Sequence, residues 1–351
     1  MQTSNDDERT RLLTMINGQW MTQAIAAAAG LGLPGLMARR PQTCAELAEA
    51  TGSHAASLER LLHALQSIGL CVIGQGQSQG EGEGEAFELT PLGALLDPAS
   101  PGTLHAWARM RAERWADWGE LEQSVRTGES YRKRHLGVDG FGRLDDDAQG
   151  AAVFHRAMVD LTTRVAAEVA RVVEFRGDER LVDIGGGSGV LLTTLLASAP
   201  SSHGQVFDLP HARPSALAHI EQCGLAERCE FIAGSFFDAL PPGADIYLLK
   251  SVLHNWDDER ATLILSRCHA ALSPGRRLLI VERLLPERWS DSATHRSAAA
   301  SDLNMLVALS GRERTEAQFR SLLAAAGFRV ACIAATESDF HVIETLLTES
   351  E

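Results

Sequence analysis

No apolar run in this chain approaches the roughly 20 residues that a membrane-spanning helix needs, so no membrane partner is expected. No C-x-x-C pair occurs among Cys44, Cys71, Cys223, Cys229, Cys268 and Cys332. That spacing argues against a disulfide framework or a zinc site and leaves buried, reduced thiols as the expectation. No His/Asp cluster stands at ligand spacing elsewhere, so no metal is expected. Positive charge is scarce too. The formal net charge is −14, and the first hundred residues hold five arginines and no lysine against eleven acids. Phosphate contacts dominate affinity for DNA, and an acidic surface repels them, so no nucleic-acid partner is expected. The stretch from Met1 to Asn17 is polar and charged rather than apolar, unlike a secretory signal, and a cytoplasmic location is the expectation.

What is present begins with glycine. Leu181-Val182-Asp183-Ile184 is an apolar run ending near an acid, and Gly185-Gly186-Gly187-Ser188-Gly189 follows before Val190-Leu191-Leu192. This reads as strand, turn, helix, with a turn stripped of side chains. Such glycines reach φ > 0 or let a ligand lie on the main chain. Cofactors of the nucleotide type bind outside the carboxyl ends of strands at such junctions. A dinucleotide fingerprint, G-x-G-x-x-G/A, fails because Val190 stands where its last glycine is required. The pattern D-x-G-x-G-x-G is complete in Asp183, Gly185, Gly187 and Gly189. It resembles motif I of the S-adenosylmethionine (SAM) methyltransferases.

With 351 residues and 45% hydrophobic content, one large or two medium domains are expected. Residues 18–38 are rich in Ala and Leu and predict a buried helix, a candidate for contact with another subunit. Thr43 and Glu46 form a capping-box pattern that opens a helix ended by Gly52. A second helix runs through Leu58, Leu61, Leu62 and Leu65. Cys71–Ile73 and Phe87–Thr90 read as strands flanking a Gly/Gln/Glu-rich tip over 74–84. Helix, helix, hairpin is a winged-helix pattern. Its acidic charge favours protein contact over DNA. Trp107, Met110, Trp115 and Trp118 predict one buried helix, and Ser130–Asp147 reads as a loop. Ala148–Phe175 is helical again. Beyond Arg180, strand-like runs at 181–184, 205–209, 229–232, 245–249 and 278–281 alternate with helical ones, which implies a parallel sheet covered by helices. Residues 328–333 and 340–344 lie too close for a crossover and predict an antiparallel hairpin closing that sheet.

Asp208 lies 23 residues after Gly185, at the usual offset for an acid that holds a ribose. Gly234-Ser235-Phe236-Phe237 follows the third strand, where Phe236 is placed to stack on a base and Ser235 to meet its amine. His254, just past the fourth strand, suits a general base, since its ordinary pKa is about 6.5. Such a base needs an orienting acid. Glu282, at the end of the fifth strand, and Glu313, in Gly311-Arg312-Glu313-Arg314, are both candidates. A solvated charge run is the competing reading for Glu313.

Together, Asp183–Gly189, Phe207-Asp208-Leu209-Pro210, Leu249–Asp258 and Gly311–Thr315 resemble the SAM-dependent O-methyltransferases of the plant caffeic acid and bacterial hydroxyneurate type. The resemblance covers nearly the whole chain. It implies an α/β fold: a Rossmann-like class I methyltransferase sheet over 176–351, a helical linker and acceptor-pocket region over 101–175, and a winged-helix dimerisation domain over 1–100. It further implies that Asp183, Gly185, Gly187, Asp208, Ser235, Phe236 and Lys250 bind SAM, which leaves as S-adenosylhomocysteine. His254 becomes the base, positioned by Glu282 and Glu313. Trp107, Met110, Met158, Asn304 and Met305 line the pocket of a small aromatic acceptor, and the chain forms a homodimer. Ser235 stands where many relatives carry Asp, and Asn255 where Asp often follows the histidine. N-methylation, another SAM-assisted reaction, or a SAM-sensing winged-helix regulator are the alternatives.

Overall fold

The computed structural model describes residues 2–74, 85–137 and 140–348, with the side chains of residues 2–5, 142 and 143 left aside. The chain divides into two compact units, Met1–Trp115 and Ala116–Glu351.

In the first unit, helices Gln2–Ile16 and Gly18–Gly30 precede a short helix, Leu33–Met37. The single helix predicted over 18–38 is therefore broken. Gly32 adopts φ +71°, a left-handed conformation that interrupts the helical path. Within the single chain, burial of this segment is one-sided. Ala26, Ala28 and Ala29 are buried, whereas Trp20 is 64% exposed. Strand β1 (Gln42–Thr43) leads into helix Cys44–Thr51, whose capping box is formed: Thr43 N donates to Glu46 Oε2 at 2.7 Å. Helix Ala55–Ser67 and strands β2 (Cys71–Ile73) and β3 (Ala86–Leu89) complete the winged-helix arrangement, with sheet order β1-β3-β2. The Gly/Gln/Glu-rich tip over 75–84 lies outside the described residues. Leu47, Leu58, Leu62 and Leu65 supply the apolar centre of this unit.

Residues 105–119 form two helices, His105–Glu113 and Trp115–Gly119, instead of one. The region 130–147 is also less irregular than predicted. Ser130 caps helix Tyr131–Leu136 by accepting from Lys133 N at 3.0 Å, and Gly137 ends it at φ +73°.

The second unit is built on β4 (Arg180–Ile184), β5 (His203–Asp208), β6 (Cys229–Ala233), β7 (Ile246–Lys250), β8 (Arg277–Leu285), β9 (Arg314–Thr315), β10 (Phe328–Ala335) and β11 (Phe340–Leu347). The order is β10-β11-β8-β7-β4-β5-β6, with β9 beside β8. Strands β4 to β8 pair in parallel. The final hairpin pairs β10 antiparallel with β11, as their short connection requires, and inserts β11 antiparallel against β8.

Side chains alternate between two cores, one on each face of the sheet. Leu181, Ile246, Leu248 and Val281 enter one; Val182, Ile184, Tyr247 and Leu249 enter the other. The chain leaves β4 toward β5 on one side and reaches β7 on the other. That reversal opens a crevice at the carboxyl ends of these strands. Among the described residues, no helix is long and apolar enough to cross a membrane.

Candidate active site

The glycine turn after β4 takes the form its sequence demands. Gly185, Gly187 and Gly189 all lie at positive φ, at 68°, 57° and 78°. A Cβ on Gly185 would lie 3.0 Å from Val252 Cγ2 and 3.5 Å from Phe236 Cε1. The turn, Val252 and Phe236 thus converge on one spot where only bare backbone fits. Asp208, at the end of β5, fixes the turn from the side. Its Oδ2 accepts from Gly187 N at 2.7 Å and its Oδ1 from Leu209 N at 2.6 Å.

Asp183 is placed differently from a surface contact. It is buried beneath the turn, where a Cβ on Gly186 would come within 2.7 Å of its Cγ. Burial and the nearby charge of Asp208 push its carboxyl up to about 7. Near Gly187 of the same turn, where a Cβ would stand 3.7 Å from His155 Nδ1, lies a histidine pair that the sequence does not single out. His155 Nε2 stands 3.0 Å from His211 Nδ1. Burial and the His211 charge draw His155 down to about 4, so it is neutral at neutral pH.

Ser235 Oγ accepts from Phe237 N at 3.2 Å and shapes the turn after β6. The Phe236 and Trp256 rings meet edge to face at 6.0 Å. Lys250, last in β7, donates to Thr162 Oγ1 at 3.0 Å and lies over the Phe340 ring, its amine drawn down to about 8 by burial. It is therefore braced against helix Ala148–Val172.

His254 lies in a 3-10 turn, Leu253–Asn255, and is buried. Its Nδ1 is 3.2 Å from Glu313 Oε1 and 3.3 Å from Glu282 Oε2. Two carboxylates facing one ring nitrogen assign the proton to Nδ1, so Nε2 is the nitrogen engaged by neither. Glu282 also holds the turn itself, since its Oε1 accepts from Val252 N at 3.0 Å and His254 N at 3.3 Å. Glu282 sits inside β8 rather than at its end, because that strand runs on to Leu285. Glu313 is no solvated charge: it is 2% exposed, and Ser301 donates to its Oε1 at 2.7 Å.

Burial pulls the His254 pKa down, but the charges of Glu282 and Glu313 outweigh it and the net direction is upward. Burial pushes Glu282 up. The His254 charge and the bonds from His254 and Ser301 overcome burial at Glu313 and hold it down. These three side chains bring donor atoms within 4.8 Å of one another, a set that could hold a metal ion and that linear spacing hides.

Asn304 and Met305 lie on helix Ala293–Leu309, and Trp118 donates to Asn304 Oδ1 at 3.2 Å. Ser301 shares their helix face by its three- and four-residue spacing. Met158 lies on helix Ala148–Val172. Trp107 and Met110 belong to the first unit, on helix His105–Glu113, where Arg111 covers the Trp107 ring at 5.4 Å.

The family model described as an O-methyltransferase domain matches residues 118–329, and that of an O-methyltransferase dimerisation domain matches 13–97. The chain is 35% identical to phenazine O-methyltransferase PhzM of Lysobacter antibioticus, over 95% of this chain and 94% of that one. It is 36% identical to the mitomycin biosynthesis 6-O-methyltransferase of Streptomyces lavendulae, over 90% and 88%. A further relative, 36% identical over 91% of this chain and 89% of that one, is 8-amino-8-demethylriboflavin N,N-dimethyltransferase of Streptomyces davaonensis. Among solved structures, the O-methyltransferase NcsB1 in complex with SAM and 2-hydroxy-5-methyl naphthoic acid superposes with a TM-score of 0.77. It is 31% identical, covering 93% of this chain and 96% of that one.

Proposed function

This chain belongs to the O-methyltransferase family and is a SAM-dependent methyltransferase, and from that premise we propose that it methylates an aromatic hydroxyl of a small secondary metabolite. The observation that carries the reading is the position of His254 Nδ1 between Glu313 Oε1 and Glu282 Oε2. SAM supplies a methyl carbon that its sulfonium has already made electrophilic.

What remains for the protein is to bind, to orient and to move one proton. The bare turn at Gly185 and Gly187, the carboxylate of Asp208 and the ring of Phe236 fit a cofactor that needs close backbone approach. Ser235 and Lys250 border the same crevice. Asp183 acts from below by supporting the turn. His254 Nε2 takes the proton of the acceptor hydroxyl, because a neutral phenol with an ordinary pKa of about 10 is a poor nucleophile. The imidazolium that forms is stabilised by Glu313 and Glu282. A metal held by this set would take the Nδ1 lone pair, whereas a base that accepts its proton at Nε2 keeps a proton on Nδ1, facing Glu313 and Glu282. We therefore assign no metal. Met158, Asn304 and Met305 are the acceptor-lining residues of the catalytic part.

The dimerisation-domain match and the exposed apolar residues Leu12, Met15, Ile16 and Trp20 support a homodimer. We read the chain as a dimerisation part (1–100), a helical linker with acceptor contacts (101–175) and a SAM-binding part (176–351), acting in the cytoplasm. N-methylation is the second reading, favoured by the N,N-dimethyltransferase relative.

A panel of hydroxylated and aminated aromatics incubated with SAM, read by product mass, tests both. A gain of one methyl on a phenolic oxygen is the expected result. Methylation only of amines would move the assignment to the second reading.

A further inference from the structure

The turn that carries His254 is held from both sides by one segment that starts at Gly311. Arg312 N donates to His254 O at 2.9 Å. A Cβ on Gly311 would stand 2.2 Å from that same carbonyl oxygen, so the segment approaches as closely as backbone can. Arg314 is 0% exposed, the largest fully buried side chain among the described residues. Its Nη1 donates to Leu253 O at 2.9 Å and its Nη2 to Trp256 O at 2.8 Å. Nε and Nη2 also reach Asp258 Oδ1, at 3.0 and 2.9 Å. The two carbonyls bracket His254 in the chain. Arg314 itself begins β9, which pairs with β8 at Leu284, two residues beyond Glu282.

From these contacts we propose that Arg314 is a positioning residue, the clamp that fixes the His254 turn against Glu282 and Glu313. The inference rests on the reading of His254 as the base. A planar guanidinium suits the task because its fork meets two carbonyls and a carboxylate at once. An ammonium is a point charge and cannot span them. Trp256 O would otherwise lack the charged donor that Arg314 gives it in a buried place, a costly state, and Leu253 O, which already accepts from Trp256 N at 3.2 Å, gains a second donor. Charge adds to geometry: burial pushes the Glu282 carboxyl up, and the charges of His254 and Arg314 both oppose that.

The test is Arg314→Lys in the full-length protein, which keeps the charge and loses the fork. Affinity for S-adenosylhomocysteine, measured by calorimetry, should stay within about threefold of the parent, and so should the acceptor KM. The kcat for an aromatic that turns over in the acceptor screen should fall about 10²-fold, as small displacements of a catalytic group do. Deuterium uptake by the peptide spanning residues 250–257 should accelerate, since its carbonyl partners are loosened. Unchanged kcat and uptake would overturn the proposal. So would a parallel loss of S-adenosylhomocysteine binding, which marks a general folding role. If Arg314→Lys does not fold, Asp258→Asn keeps the fork and weakens its anchor. A kcat about tenfold lower with faster uptake then supports the clamp, and no change in either overturns it. Activity of His254→Gln separates the two readings. Full kcat in that variant removes the base assignment, while the uptake data still decide whether Arg314 holds the turn.

Discussion

Nδ1 of His254 lies 3.2 Å from Oε1 of Glu313, a residue 59 positions further along the chain. That oxygen also accepts from Ser301, so the histidine's partner is itself fixed. Geometry of this kind is what a proton-accepting imidazole needs: one nitrogen tied down, the other left to the acceptor.

His254→Gln removes the base without changing the size of the side chain much. We expect kcat to fall by roughly 10² to 10⁴, the usual contribution of general base catalysis. Affinity for S-adenosylhomocysteine should hold, because the glycine turn and Asp208 do not depend on His254. Steady-state rates on the best aromatic acceptor, paired with calorimetry, check this. A variant with parental kcat would remove His254 from the mechanism.

The pH dependence follows from the upward shift of His254. A base works only when neutral, so activity should rise with pH through an apparent pKa above the ordinary value of about 6.5. Glu313→Gln removes one of the negative charges that raise it. The rising limb of kcat/KM should then move to lower pH, with a lower plateau because the ring is less well held. A limb that stays in place or moves upward would show that Glu313 does not set the charge of His254.

The parallel sheet was legible because its strands are apolar runs separated by helical ones, and both faces of the sheet are covered. The glycine turn was legible because φ > 0 and close approach select glycine at Gly185, Gly187 and Gly189. The partners of His254 were less so. Glu282 and Glu313 come from distant segments, and nothing local distinguishes a buried glutamate from a solvated one. Arg314 drew no separate assignment for the same reason, since Gly311–Thr315 has the composition of a surface charge run until the fold buries it. Ser301 carries no signal at all. The helix Tyr131–Leu136 had one, Ser130 at its start and Gly137 at its end, which the polar composition between them obscured.

Gly185→Ala tests the cofactor crevice. Its φ of 68° costs an L-residue roughly 1–2 kcal/mol. The new methyl would also press on Val252, 3.0 Å away. We expect S-adenosylhomocysteine to bind at least about tenfold more weakly, by calorimetry, since that strain falls where the backbone must lie bare. The fold, read by circular dichroism, should persist because the sheet below is unaltered. Parental affinity in this variant would move the cofactor away from the turn.

Trp20 and Met15 are each 64% exposed and Ile16 is 58% exposed, on consecutive helices of the first unit. Single exposed apolar residues are ordinary, but several large ones within six positions mark an association surface. Burying each in a dimer would contribute roughly 1.5–3 kcal/mol. Replacing one with a charge removes that gain and adds a desolvation cost. Trp20→Glu combined with Met15→Glu should therefore shift the protein from dimer to monomer in sedimentation velocity at micromolar concentration. If both substitutions leave the dimer intact, the helices Gln2–Ile16 and Gly18–Gly30 are not its interface, and the contact must be sought on the winged-helix face instead.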